Sequence, residues 1–168
     1  MILSGKTLRE YAERGSPLVA PFVSEKTILN GMSYGCSLAG YDVRIAEDVQ
    51  LWSQGFSLAS TVEEFNLPEN IVGFVHDKSS WARKGLSLFN TVIEPGWKGF
   101  LTLELINNGW SLVEDTYGYE KEVPLEIKAG SPIAQIIFMY TDRETEGYNG
   151  KYQGQKQGPQ EAIFENVG

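Results

Sequence analysis

The sequence predicts a mostly β fold, a barrel or sandwich that carries one helix near its N-terminus. Apolar residues fall in short runs separated by turn residues, and glycine occupies 18 of the 168 positions. Residues 100–106 alternate as a half-buried strand does, so that Leu101, Leu103 and Leu105 share one face and Glu104 lies on the other. Helical character is concentrated in residues 4–15.

The N-terminal helix has recognisable signals at both ends. Ser4 can act as the N-cap, and Gly15 can end the helix in a left-handed conformation. Leu8 lies on the same face as Tyr11 or Ala12, which predicts the side of the helix that packs on the core.

Three further segments are typical of strands. Residues 40–52 have apolar side chains at alternate positions, and residues 70–78 form a second apolar run. Residues 123–140 predict two strands joined by a turn at residues 129–132, where glycine and proline follow each other closely.

The C-terminal part of the chain is rich in Gly and Gln and has little periodicity. Residues 148–168 therefore predict a flexible arm or an ordered lid rather than a core element. We expect a single domain over residues 1–168, with residues 141–168 as an arm that closes over the functional site. Residues 107–127 are longer than the short hairpin expected there, and the sequence offers no account of them.

Composition excludes several function classes. A formal net charge of −8 does not favour nucleic acid as a partner, and no run approaches the length of a membrane span. The charged N-terminus lacks the apolar core of a signal peptide, so we expect a cytoplasmic protein. With Cys36 and His76 as the sole residues of their types, an intrachain disulfide is impossible, and these two cannot supply the three or four ligands of a Cys/His zinc site.

Glu104 is the first candidate for chemistry, because it interrupts an apolar strand between two leucines. One interpretation is an ordinary glutamate on a solvated face. Its neighbours on that face, Phe100 and Ile106, are apolar, which favours a partly desolvated carboxylate able to act as an acid or base.

Residues 79–85 predict one or two helical turns, capped by Ser79 or Ser80 and ended by Gly85. On such a turn Ser79 and Arg83 are four residues apart and face the same way, and free N–H groups at its start can hold a phosphate. An ordinary capped, charged surface turn is the alternative.

The arm carries the third candidate motif, "GKYQGQKQGP". Lys151 can pair with phosphate, Tyr152 can stack on a base, and Gln155 can hydrogen-bond a base edge. A polar tail without a function is the alternative for this stretch taken alone.

Taken together and in order, these motifs resemble the trimeric dCTP deaminases, which share a fold with the dUTPases. The resemblance covers residues 40–155 and rests on five segments: "GYDVR" (40–44), "KSSWARKGL" (78–86), "EPGWKGFLTLEL" (94–105), "GSPIAQIIF" (130–138) and "GKYQGQ" (150–155). It implies a homotrimer of distorted β-barrel subunits of the dUTPase-like β-clip type, with active sites between neighbouring subunits.

The resemblance also implies roles for individual residues. Glu104 matches the glutamate that activates water and shuttles protons, and Ser79 and Arg83 match the residues that position that water and set the charge of the site. Substrate-binding roles are implied for Lys78, Ser80, Asn90, Thr91, Glu94, Trp97, Gln135, Tyr148, Lys151, Tyr152 and Gln155.

The activity implied is hydrolytic deamination of dCTP to dUTP and ammonia, which supplies deoxyuridine nucleotides for dTTP synthesis. The reaction would proceed without zinc, and Mg²⁺ would enter with the triphosphate rather than as a protein-bound metal. The nucleotide partners implied are dCTP, with dUTP and dTTP as further candidates.

Three alternatives remain open: a bifunctional enzyme that releases dUMP and pyrophosphate, a plain dUTPase, and a noncatalytic nucleotide-binding trimer. In dUTPases an aspartate and a tyrosine stand where Glu94 and Trp97 stand here, and the extra methylene of a glutamate can misplace a water. The combination of Ser79, Arg83 and Glu104 counts against a noncatalytic trimer. Because dUTPases lack a counterpart of Glu104 and the arm "GKYQGQ" resembles the deaminase type, a deaminase is favoured over a plain dUTPase, while bifunctional members carry an acid at both the Glu94 and Glu104 positions.

The sequence departs from the family pattern at several positions. Lys78 stands where arginine is common, which weakens a bidentate phosphate contact. Asn90 replaces a small residue beside the base and can alter pyrimidine preference. Ser87 and Leu88 stand where some deaminases carry a histidine that helps inhibition by dTTP, so this form of regulation is not expected here.

Overall fold

The computed structural model describes residues 1–165, in which two short helices accompany fourteen strands. The elements, in chain order, are α1 (Gly5–Glu13), β1 (Val19–Ala20), β2 (Thr27–Leu29), β3 (Met32–Cys36), β4 (Tyr41–Arg44), β5 (Val49–Leu51), β6 (Phe56–Asn66), β7 (Ile71–Asp77), α2 (Ser79–Ala82), β8 (Leu86–Leu88), β9 (Val92–Ile93), β10 (Lys98–Asn107), β11 (Leu112–Glu114), β12 (Glu120–Glu122), β13 (Leu125–Ile127) and β14 (Pro132–Tyr140). The mostly β prediction is confirmed.

The strands form two larger sheets and two small ones, and they curl into a half-barrel. One sheet has the order β1-β6-β10-β8, and the other has the order β2-β3-β4-β14-β7-β9. Strand β8 pairs with β10 while β9 pairs with β7, so residues 89–91 cross from the first sheet to the second. This crossover lies beside Glu104 in the structure, because the Phe89 N–H donates to the Glu104 carbonyl oxygen.

Helix α1 forms where the sequence predicts it. The Ser4 hydroxyl caps it by accepting from the Thr7 N–H at 3.3 Å, and Gly15 adopts φ of 77° just beyond its end. Leu8 is buried against the sheets. No helix in residues 1–165 is long and apolar enough to cross a membrane.

The strand character predicted for residues 40–52 is confirmed, and it is divided between β4 in the six-stranded sheet and β5, which pairs with β13. The predicted capping of α2 is wrong. Helix α2 has Lys78 at its N-cap position and no side-chain cap, so neither Ser79 nor Ser80 plays the predicted capping role. As predicted, Gly85 follows the helix with positive φ, 89°.

The segment over residues 107–127 is an exposed hairpin followed by a short strand. Strands β11 and β12 pair only with each other, and β13 returns the chain to the body of the protein by pairing with β5. The Glu122 carboxylate connects the hairpin to the turn after β5, because it accepts from the Ser53 N–H at 2.9 Å.

The longest strand, β6, is the element that the sequence did not reveal. Its inward face carries Ala59 and Phe65 together with the polar residues Thr61 and Glu63, all of them buried. A half-buried strand is recognised by an apolar face. Polar residues on the buried face of β6 remove that signal.

Glu63 is tolerated in the core because Arg44 neutralises it. The Glu63 carboxylate accepts from the Arg44 N–H and from the Arg44 Nε, both at 2.8 Å, and this joins β6 to β4 across the two sheets. Burial raises the pKa of the Glu63 carboxyl, while the bonds to Arg44 oppose that rise. The pair therefore supplies a directional contact between the sheets rather than a large net stabilisation.

We expect Glu63→Ala to lower the free energy of unfolding by about 3–5 kcal/mol, because it leaves the Arg44 side chain and N–H without their partner. Glu63→Gln is the matched control: it keeps the volume and one acceptor oxygen, so its loss is expected to be smaller. Urea unfolding of the three proteins measures the difference. Equal stability of wild type and Glu63→Ala would contradict a role for the pair.

Candidate functional site

A cavity of about 530 Å³ opens between β6, β9, β10 and the C-terminal arm. Its size is typical of a pocket for a small molecule such as a nucleotide. Eight of the fourteen residues predicted for the site line it: Asn90, Thr91, Glu94, Trp97, Glu104, Tyr148, Tyr152 and Gln155.

Glu104 lies in the middle of β10, and its strand is paired on both edges. On one edge Glu104 lies opposite Leu58 of β6, and on the other its carbonyl oxygen accepts from the Phe89 N–H at 2.9 Å. The side chain is half-buried on the cavity wall. Its carboxylate forms no hydrogen bond or ion pair within residues 1–165, so it is available to a ligand.

The Asn90 side chain lies at the crossover between the sheets and bonds to the backbone of β10. Its Oδ1 accepts from the Glu104 N–H at 3.0 Å, and its Nδ2 donates to the Thr102 carbonyl oxygen at 2.7 Å. The two backbone partners determine the orientation of the amide, because an N–H can only donate and a carbonyl can only accept.

Glu94 and Trp97 form a turn at the other end of the cavity. The Trp97 N–H donates to the Glu94 carbonyl oxygen at 3.1 Å, and the exposed Glu94 side chain lines the cavity. Trp97 is buried against Phe65, and its indole N–H donates to the Tyr152 carbonyl oxygen at 2.7 Å. Trp97 therefore connects the core to the arm.

The arm runs along β10 as an additional extended segment. Gln155 forms a parallel bridge with Gly99, and the Phe100 N–H donates to its carbonyl oxygen at 3.0 Å. The Gln155 side-chain amide donates to the Thr102 hydroxyl, which also accepts from the Gln160 N–H. The described part of the arm thus covers one side of the cavity; residues 166–168, which complete the predicted arm, lie outside the described residues.

Gly99 makes this close approach possible. A Cβ at Gly99 would lie 2.7 Å from both the backbone nitrogen and the backbone oxygen of Gln155, and its φ of 139° is rarely adopted by other residues. No side chain could be placed there without moving the arm.

The structure does not bring the remaining six predicted residues to this cavity: Lys78, Ser79, Ser80, Arg83, Gln135 and Lys151. Ser79, Ser80 and Arg83 are exposed on α2 and just after it. Lys151 lies in a second, smaller groove formed by the arm itself, where its Nζ is 3.9 Å from a Glu165 carboxylate oxygen and 5.5 Å from the centre of the Tyr152 ring.

Helix α2 is attached to the body of the protein by Trp81 and Lys78, although Ser79 and Arg83 are exposed to solvent. Trp81 is buried, and its indole N–H donates to the Pro132 carbonyl oxygen at 2.8 Å. The Lys78 ammonium is buried and lies 3.2 Å from the Asp42 carboxylate. Burial raises the pKa of the Asp42 carboxyl, and the charge of Lys78 acts in the opposite direction.

Gln135 lies on β14, opposite His76, and its side-chain amide donates to the Ser37 hydroxyl at 3.3 Å. Because His76 precedes Lys78 by two residues, Gln135 belongs to the same side of the protein as the start of α2. One chain therefore presents two separate groups of candidate residues, the cavity group and the α2 group, and Lys151 lies apart from both on the arm.

Sequence reasoning missed several residues of the cavity wall. Phe56 and Leu58 come from the unpredicted strand β6, and Phe56 stacks on Phe89 at the cavity rim with ring centroids 6.4 Å apart. Gln160 and Glu161 come from the arm beyond the quoted motif. The face of β6 opposite its buried polar residues carries Phe56, Leu58 and Val62, which gave a partial signal for the strand that Ser60 interrupts. Within residues 1–165 no group of three or more His, Cys, Asp or Glu side chains is placed to hold a metal ion.

Residues 41–141 match the family model described as dCTP deaminase-like. The chain belongs to the dCTP deaminase-like family. The match includes β4, α2 and all of β10, and thus most residues of both candidate groups, while the arm motif lies beyond it.

Curated relatives extend the likeness over most of the chain. A dCTP deaminase of Aromatoleum aromaticum is 31% identical over 191 aligned positions, which cover 92% of this chain and 95% of the relative. A dCTP deaminase of Campylobacter concisus is 28% identical, with 83% of this chain and 86% of the relative covered.

Solved structures show that this family member has the dUTPase fold. The chain aligns with the native EIAV dUTPase at a TM-score of 0.50 and 20% identity, over 68% of this chain and 85% of that one. It aligns with a variant of the dUTPase of Staphylococcus bacteriophage 80alpha with dUpNHpp at a TM-score of 0.52 and 19% identity, over 79% of this chain and 97% of that one.

We expect Gly99→Ala to displace the arm from β10, because the added Cβ would collide with the Gln155 backbone. Trypsin should then cleave after the exposed Lys156 at least about tenfold faster than in the wild type, since cleavage follows the population of the open arm. Gly118→Ala is the matched control: its φ is 85°, and its Cβ would meet nothing closer than Glu114 at 3.5 Å. Equal cleavage rates for wild type and Gly99→Ala would show that the arm does not depend on this contact.

Proposed function

We propose that this protein catalyses the hydrolytic deamination of dCTP to dUTP and ammonia. The observation that carries the proposal is Glu104, a carboxylate without a protein partner in residues 1–165, on the wall of a nucleotide-sized cavity in a member of the dCTP deaminase-like family. The relatives named above as dCTP deaminases support the choice of substrate.

Glu104 acts as both base and acid in this proposal. It takes one proton from the water that attacks C4 of the cytosine and gives it to N3. It then takes the second proton from the new C4 hydroxyl and gives it to the amino group, so that the C4 carbonyl forms as ammonia leaves. The position of Glu104 suits this exchange, because its half-buried side chain lines the cavity and its carboxylate has no partner within residues 1–165.

The active site is shared between copies of the chain in a homotrimer. Ser79 and Arg83 are exposed on a firmly seated turn and do not line the cavity that holds Glu104. A neighbouring copy that docks its α2 at the cavity would bring the Ser79 hydroxyl and the Arg83 guanidinium to the water and the triphosphate. Lys78, Ser80 and Gln135 would then contribute from the same neighbour.

The arm and the crossover hold the nucleotide from the other side. Thr91, Tyr148 and Tyr152 line the cavity where the base and sugar would lie, and Gln155 anchors the arm over them. In this proposal Lys151, which lies in its own groove on the arm, would approach the phosphates of the bound nucleotide. We expect the protein to act in the cytoplasm.

Mg²⁺ fits this site as a companion of the triphosphate. It prefers oxygen ligands and retains several waters, and the Glu94 and Glu161 carboxylates on the cavity wall can accept hydrogen bonds from such waters. Bound to the triphosphate, the ion neutralises part of the phosphate charge. With one Cys and one His in the chain, the Cys/His zinc centre of other deaminases has no ligand set here.

A second function, release of pyrophosphate from dUTP, is favoured by one observation. Glu94 and Glu104 line the same cavity, so a second water could be held at Glu94 while the nucleotide stays bound. The bifunctional reaction would give dUMP rather than dUTP.

Incubation with dCTP and Mg²⁺, followed by measurement of ammonia, dUTP, dUMP and pyrophosphate, tests the activity. We expect ammonia and dUTP in equal amounts, and a zinc-selective chelator at saturating Mg²⁺ should leave the rate unchanged. Ammonia with dUMP and pyrophosphate would establish the bifunctional reaction. Hydrolysis of dUTP with no product from dCTP would overturn the proposed deamination.

Glu104→Gln should retain dCTP binding and lower the deamination rate by about 100-fold or more, because the amide has the shape of the carboxylate but cannot take a proton. Binding is measured by calorimetry with dCTP and Mg²⁺, and turnover by ammonia release. Turnover equal to that of the wild type would remove Glu104 from the mechanism.

Complementation between two inactive variants tests the shared site. Arg83→Ala and Glu104→Gln should each be inactive alone, whereas trimers co-expressed from both genes should recover up to about a quarter of the wild-type rate, because random 1:1 mixing unites the two intact residues at one interface in four. Separately expressed variants combined without subunit exchange are the control. Inactive mixed trimers, shown to contain both chains, would contradict a site between subunits.

A further inference from the structure

We infer that Asn90 is a positioning residue for Glu104, and that its side chain replaces a missing strand partner rather than reading the base. This inference rests on the proposed function, because it assigns the role of Asn90 in the reaction at Glu104. It differs from the substrate-binding role that the sequence implied for Asn90.

The need for such a residue follows from the topology. Strand β8 pairs with β10 at Leu88 and Leu105, and the last backbone bond of this ladder joins the Phe89 N–H to the Glu104 carbonyl oxygen. The chain then crosses to β7, where Val92 lies opposite Phe74. Beyond the bond from Phe89, strand β8 no longer lies beside β10. The pairing ends at Glu104, the residue that carries the proposed proton-transfer group.

The Asn90 amide takes the place of that neighbour. A peptide unit in an antiparallel ladder offers one acceptor and one donor, and the Asn90 side chain offers the same two groups in the same sense. Its Oδ1 accepts from the Glu104 N–H at 3.0 Å, and its Nδ2 donates to the Thr102 carbonyl oxygen at 2.7 Å. The ladder is thereby extended past the crossover by a side chain.

The hydrogen bonds from Asn90 and Phe89 matter for the proposed reaction, because they fix the backbone of Glu104 and so the direction of its carboxylate. With its N–H and carbonyl oxygen both bonded, Glu104 cannot change its backbone angles without breaking a bond, so the direction of its Cα–Cβ bond is held. The side chain then points from β10 into the cavity. Loss of Asn90 frees the N–H of Glu104 and leaves one bond, from Phe89, on that edge.

The Asn90 side-chain amide also stabilises Thr102, the residue of β10 to which the arm is hydrogen-bonded. Thr102 receives the Asn90 bond on its carbonyl oxygen and the arm bonds of Gln155 and Gln160 on its hydroxyl. Asn90 therefore fixes the backbone of β10 at two positions, at Glu104 and at Thr102, where the arm is bound.

Hydrogen exchange of the nucleotide-free protein tests the ordering role independently of any activity. In Asn90→Ala the amide of Glu104, followed in peptides that span residues 102–106, should exchange at least about tenfold faster than in the wild type. Thr91→Ala is the matched control, because it changes the adjacent cavity residue and leaves the Asn90 bonds in place. Unchanged exchange in Asn90→Ala would overturn the inference.

Kinetics with dCTP separate positioning from recognition. For Asn90→Ala we expect kcat to fall by about 10- to 100-fold, as for a displaced catalytic group, while KM changes by less than about threefold. A large rise in KM with kcat retained would show that Asn90 reads the substrate, and would overturn the inference. Asn90→Ser serves as a second variant if Asn90→Ala does not fold, since one hydroxyl is too short to serve both backbone groups.

The two experiments also separate failure of this inference from failure of the proposed function. A wild-type protein that releases no ammonia from dCTP refutes the deaminase activity. The same result also refutes the assignment of Asn90 to that reaction. The hydrogen-exchange measurement still shows whether the Asn90 side-chain amide stabilises the backbone of β10.

Discussion

The functional architecture depends on the hydrogen bonding of β10 along both of its edges. Strand β6 pairs with one edge from Lys98 to Ile106, and the other edge is occupied in turn by the arm, by the Asn90 side chain and by β8. A strand bonded on both edges is held in the plane of its sheet, so its side chains have defined directions. Leu103 and Leu105 enter the core, and Glu104 faces the cavity.

Continuous pairing of β10 requires three different kinds of partner, because no single strand can stay beside it. The arm can approach since Gly99 has no side chain, and β8 leaves since the chain must cross to β7. Asn90 fills the interval between them. The geometry of Glu104, the proposed catalytic residue, is thus a consequence of how the backbone groups of one strand are satisfied.

The second group of candidate residues depends on buried charge rather than on strand pairing. Lys78 and Asp42 form a buried ion pair, and Trp81 bonds to Pro132, so the turn that carries Ser79 and Arg83 is held in place while both side chains face solvent. In the proposed homotrimer, this turn would complete the site on another copy of the chain. One chain therefore carries every residue of the proposed mechanism, but it holds the cavity group and the α2 group at separate places.

The sequence by itself determined the family, the N-terminal helix and the alternation of β10, because each depends on residues that are close along the chain. Tertiary structure decided what depends on distant partners. Strand β6 was hidden because Glu63 is buried only by virtue of Arg44, and Asn90 acquired its place because β8 and β9 join different sheets. The separation of Arg83 from Glu104 was likewise decided by the fold, since short-range patterns carry no information about which faces of a barrel two segments occupy.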